Sequence, residues 1–182
     1  IELTAITEDQ PIINGATVEA LASAHFNDGA DNVLEGSNGD TFAGVAITSY
    51  SRDAALGEWQ YLDADNNVWV DIPGITSSSS AVVLKVEDLV RFRPSGDFYG
   101  SAPALEVAII DSSIVLMTGA VIDASNRGGE TALSLDTLSI GQVVTPIADI
   151  TNESIEVQED IASGTIDLLS NDLFASTPTS VV

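Results

Sequence analysis

Short apolar runs rich in β-branched residues recur along the chain, and each stops at a cluster of Asp, Asn, Gly, Pro or Ser. This punctuation constrains the fold more than any other feature. Val, Ile, Thr and aromatic residues suit a pleated, half-buried surface, and turn formers close one strand and open the next. Phe42–Tyr50 is one such run. Gly57–Leu62 and Val68–Ile72 flank Asp63-Ala64-Asp65-Asn66-Asn67, a hairpin signal. Ala81–Val86 and Leu89–Arg93 flank Glu87-Asp88, and Pro94-Ser95-Gly96-Asp97 forms the next turn. Ala104–Asp111, Ile114–Met117, Thr131–Leu135 and Thr137–Val144 complete the set, after an opening run Ile1–Ile6. Strands at this spacing predict a mainly β fold, a β-sandwich. Thr17–Phe26 breaks the pattern. Val18, Leu21, Ala22 and His25 fall at helical spacing, which predicts one short helix near the N-terminus with Thr17 as its N-cap.

The chain carries 28 acidic residues against five basic ones in 182, a formal net charge of −23, yet 45% of it is hydrophobic. An acidic disordered tail would lack those apolar residues. A nucleic-acid binder needs a basic face, which five cations cannot build. No run approaches the roughly 18 apolar residues of a membrane span. So many like charges on a small folded body repel one another, and a cation is the natural remedy. Asp and Asn gather in Gly-containing turns, which favours a hard cation with oxygen ligands, Ca2+ before transition metals. Zinc has little to hold it, with no Cys and only His25. No nucleophile elbow, phosphate loop or zinc motif is present, so the chain is not expected to be an enzyme.

Two acidic segments are candidate Ca2+ ligands. In the hairpin turn, Asp63, Asp65 and Asn67 place oxygen side chains at alternating positions. The turn lacks the glycine and distal glutamate of an EF-hand, and Asp-Asn turns also close hairpins without metal. The loop Asn27–Asp40 holds Asp28, Asp31, Glu35 and Asp40, with Asn32 and Asn38. Carboxylates gathered there either share a cation or splay into solvent, since like charges a few Å apart repel at roughly 1–4 kcal/mol. Trp59, Tyr61 and Trp69 alternate on two paired strands, as core packing or, less simply, as a sugar-stacking platform. His25 reads as a packed or capping residue, because one histidine without a nucleophile makes no triad.

The chain starts at Ile1 without Met and reads as a piece of a longer protein. Residues 1–150 are expected to form the sandwich. Residues 151–182 supply either a linker and the start of a following repeat or one added strand of the same sandwich.

A string of motifs then carries a family likeness. Phe42–Thr48 (FAGVAIT), Gly57–Tyr61 (GEWQY), Trp69–Ile72 (WVDI), Leu89–Pro94 (LVRFRP), Asp97–Gly100 (DFYG), Leu105–Val107 (LEV), Asp111–Ser113 (DSS) and Asn126–Thr131 (NRGGET) occur in order. Across about residues 1–150 this string resembles the cadherin-like, peptide-binding module of giant bacterial RTX adhesins. The resemblance implies a Ca2+-dependent β-sandwich on the bacterial cell surface, extracellular and adhesive, flanked by further adhesin domains. It implies a grip on the free C-terminal end of a partner peptide or protein on a host or neighbouring cell, through a bound Ca2+. A related module can instead be a Ca2+-stiffened spacer that binds nothing. Acids at module ends, here Glu8 and Asp9 at one end and Asp149 with Asn152 at the other, are implied Ca2+ ligands. Within that picture Asp111, Asp123, Ser125, Asn126, Arg127, Gly128, Gly129, Glu130 and Thr131 are the expected ligand-facing rim. Gly-Gly lets a backbone approach a ligand closely, and Arg127 is suited to pair with a carboxylate. The same glycines would also serve a plain hairpin.

Overall fold

The computed structural model describes residues 1–29, 39–63, 67–148, 156 and 159–160. Among them lie β1 (Ile6–Thr7), β2 (Ala16–Thr17), helix α1 (Val18–Ala22), β3 (Phe42–Tyr50), β4 (Gly57–Asp63) and β5 (Val68–Asp71). β6 (Ala81–Lys85), β7 (Leu89–Pro94), β8 (Gly100–Ser101), β9 (Leu105–Asp111), β10 (Val121–Ile122), β11 (Leu133–Ile140) and β12 (Val143–Thr145) follow. The expected β-sandwich with one short helix is what forms. A five-stranded sheet, β10-β6-β3-β9-β11, faces a four-stranded sheet, β2-β7-β4-β5, and a small sheet β1-β12-β8 stands beside them.

The period of two explains the packing. On β3, Val45 and Ile47 turn to the main core with Val82, Leu84, Leu105 and Val107 of the neighbouring strands. Trp59, Val90 and Phe92 of the second sheet meet them there. Burying each such side chain stabilises by roughly 1.5–3 kcal/mol. The alternate residues Ala46, Val83, Ala108 and Ile110 build a second core on the outer face of the same sheet. Two loops cover it: Leu116 from one, Ala124 and Ala132 from the other. The β3–β9 ladder is therefore buried on both faces, which is why its strands read as continuous apolar runs.

Thr17 caps α1 as expected, its side chain accepting the Ala20 N–H at 3.1 Å, and Val18, Leu21 and Ala22 are buried. The helix ends early in a 3-10 turn, Ser23–His25, and His25 is exposed rather than packed. Three strand expectations also change. Of Ile1–Ile6 only Ile6 enters a strand, with Glu2 making an isolated bridge to Gly141. Ile114–Met117 is no strand. Leu116 alone plugs the outer core, while Ile114, Val115 and Met117 point to solvent. Thr131–Leu135 and Thr137–Val144 are not two separate strands. Leu133–Ile140 runs across both as β11, whose register shifts between Leu133 and Thr137.

The chain divides into two compact units, Ile1–Thr145 and Pro146–Val182. Of the second, residues 146–148, 156, 159 and 160 are described. The expectation of a repeat start or added strand in 151–182 lies outside the described residues in nearly all of its length.

Candidate functional site

A cleft of about 360 Å3 opens where the end of β9, the bulged start of β11 and the chain leaving α1 converge. Each wall has a local cause. After the 3-10 turn, Phe26 N–H donates to Ser23 O at 3.1 Å, and the Phe26 ring lies 6.0 Å from that of Phe42 on β3. Asn27 Oδ1 then accepts the Gly29 N–H at 2.9 Å. Asp28 Oδ2 accepts the Asp40 N–H, and Asp40 Oδ1 accepts the Ser112 hydroxyl at 2.8 Å. Ser112 Oγ in turn accepts the Thr41 N–H at 3.0 Å. These bonds tie both ends of the acidic loop to the turn after β9.

On the opposite wall Ser134 takes a place in the β9–β11 ladder. Its hydroxyl accepts Ile109 N–H at 2.9 Å and donates to Asp136 O at 2.7 Å, filling the gap left by the register shift. The end wall is the Gly128-Gly129 turn, with φ of 76° and 63°. Gly128 N–H donates to Leu133 O at 2.8 Å, and the Thr131 hydroxyl donates to Gly128 O at 3.0 Å. A Cβ at Gly128 would lie 2.9 Å from the Leu135 side chain, so both conformation and space require glycine there.

Among the expected ligand-facing residues, Asp111, Gly128, Gly129 and Thr131 meet in this cleft. Asp123, Ser125, Asn126, Arg127 and Glu130 do not line it. Asp123 is occupied locally: its Oδ1 accepts the Ser125 N–H at 2.9 Å, and hydrogen bonding from Ser125 holds its carboxyl below the usual range. Arg127 has a buried Nη1 that donates to none of the described residues. His25, Phe26, Asn27, Ser134, Asp136 and Leu138 line the cleft without having been singled out as ligand-facing. Ser-Leu-Asp at 134–136 was the available signal, a polar interruption in an otherwise regular strand.

The expected metal ligands separate into three places. Asp28 and Asp40 come together as described, and Asp31 lies outside the described residues. Asp63 closes β4 opposite Val68, and Asn67 turns the hairpin with φ of 53°. Asp65 lies outside the described residues. Glu8 is buried and Asp9 has φ of 57° in the turn after β1, while Asp149 lies outside the described residues. Among the described residues no three His, Asp or Glu side chains gather as a metal-holding group. At Asp28 and Asp40 the donor set is all oxygen, which fits a hard cation in kind.

Trp59 is fully buried, edge-on to Phe92, and its Nε1–H donates to Pro103 O at 2.6 Å. Trp69 pairs with Leu62, next to the Tyr61–Val70 pair, so Tyr61 and Trp69 occupy opposite faces and form no stacking platform. The Arg91 guanidinium lies 3.9 Å from the Trp69 ring centroid and donates to Gln60 Oε1 and Ile13 O. Burial lowers its pKa from the ordinary arginine value. Arg52 forks onto Glu58 at 2.6 and 2.7 Å, which raises its own pKa. Lys85 pairs with Glu87 at 2.7 Å. Comparison of the chain with family models, with curated proteins and with solved structures returns no match.

Proposed function

We propose that the Ile1–Thr145 unit is an extracellular, Ca2+-dependent adhesion module of a bacterial surface protein, and that its cleft holds the free C-terminal end of a partner peptide. The observation that carries this reading is the meeting of Asp111, Gly128, Gly129 and Thr131 on one cleft. These residues come from separate stretches of the chain and belong to the rim that the motif string implied. The cleft volume is in the range of small-ligand sites. β11 ends its sheet among the described residues, and an edge strand presents backbone groups with which an extended peptide can pair. Gly129 has open space where a Cβ would stand, so a ligand can approach its backbone closely.

Asp28 and Asp40 are the described residues that would hold Ca2+ beside this cleft. A bound Ca2+ would supply the positive charge that a peptide carboxylate needs at an acidic wall. The chain's own groups orient the acids: Ser112 and the Asp40 N–H fix the two carboxylates relative to β9. The test is calorimetric titration with peptides that carry a free or an amidated C-terminus, in millimolar Ca2+ and in EGTA. Binding restricted to the free carboxyl in Ca2+ supports the reading. No binding of any free-carboxyl peptide in Ca2+ leaves the spacer role in its place.

A further inference from the structure

Asp111 is 8% exposed and lines the cleft. Its Oδ1 accepts two hydrogen bonds from Ser113, from N–H at 2.8 Å and from the hydroxyl at 2.5 Å. Its Oδ2 accepts none from the described residues. A carboxylate oxygen without a donor from the protein is free to accept one from a ligand. Among the described residues the lining includes Asp28, Asp111, Asp136 and His25, and neither lysine nor arginine. Arg52, Lys85 and Arg91 are engaged elsewhere, on Glu58, Glu87 and Gln60 respectively. Phe26, Ile109 and Leu138 add apolar side chains to the same lining.

A lining that combines apolar side chains with a carboxylate oxygen lacking a donor matches a long side chain with an aliphatic stem and a cationic head. We propose that the cleft reads a lysine or arginine side chain near the C-terminal end of the bound peptide, its head donating to Asp111 Oδ2. The inference rests on the peptide-binding reading of the same cleft and adds what the peptide must carry. Asp111 selects the peptide by charge, and Asp136 adds to the attraction.

The experiment uses pairs of free-carboxyl peptides that differ only by lysine or norleucine at one of the last few positions, titrated into the full chain in millimolar Ca2+. The lysine peptide of at least one pair is expected to bind about tenfold tighter, the effect of one charge-assisted hydrogen bond. Asp111→Asn keeps the Oδ1 acceptor for Ser113 and is expected to erase that preference, bringing the lysine peptide to the affinity of its norleucine partner. Added salt is expected to shrink the preference in the unaltered chain, a readout that does not depend on the variant folding. Equal binding of lysine and norleucine at every position overturns the inference and leaves the peptide reading standing. Equal weakening of both peptides by Asp111→Asn, in a variant whose melt is unchanged, overturns it too. Failure of every free-carboxyl peptide to bind overturns both.

Discussion

Thr17 shows how one hydroxyl far from the cleft positions it. The cap fixes the start of α1, and α1 leads within a few residues to His25 and Asp28 on the cleft wall. Thr17→Ala is expected to cost about 1 kcal/mol of stability, measured by urea melts, and to weaken peptide binding as the wall loosens. The Lys85–Glu87 pair shows the size of an exposed ion pair. Lys85 holds the Glu87 carboxyl below its ordinary pKa. A depressed folded-state pKa contributes stability above the unfolded value and loses it as pH falls through the folded one. Both side chains are well exposed, so Lys85→Gln is expected to cost no more than about 1 kcal/mol at neutral pH. That difference from the unaltered chain should vanish in melts taken in acid, below the usual glutamate range. At this scale the cap and the glycine turn were legible in the sequence, because each answers a local demand of the backbone. The roles of Ser112 and Ser134 could not be read there. Each hydroxyl acts on a backbone or carboxylate group distant in sequence, and a serine in a turn or strand looks the same without its partner.

Elements were legible where turns bounded them. Phe42–Tyr50 forms β3 with the bounds its composition suggests, and β4 through β7 fall within a residue or so of expectation. Ile114–Met117 misleads because an apolar run looks alike whether it joins a ladder or sends one residue, Leu116, into an outer core. β11 misleads because its polar interruption resembles a turn. It is a bulge bridged by the Ser134 hydroxyl. Ser134→Ala removes the acceptor of a buried ladder N–H. It is expected to destabilise by about 1–3 kcal/mol in urea melts. It should also speed amide exchange at Ile109 relative to Ala108, since only the Ile109 N–H loses its partner.

For the molecule as a whole, the charge of −23 is the governing quantity. Of the five cations, three are engaged in ion-pair, hydrogen-bond or aromatic contacts on sheet surfaces, and the cleft receives none of them. Self-repulsion of this size favours any cation that binds the folded state alone. The thermal midpoint is therefore expected to rise in millimolar Ca2+ well beyond the rise given by NaCl of equal ionic strength, and to fall back on adding EGTA. An equal rise in both salts would reduce the ion's role to screening. The place of binding is the more direct question. Amide chemical-shift mapping during titration with a free-carboxyl, lysine-containing peptide in Ca2+ is predicted to move Asp111, Gly129, Ser134 and Asp136. The exposed Ile114–Met117 loop should stay still. Shifts confined to that loop or to the β4–β5 hairpin, with the cleft residues unmoved, would contradict the account.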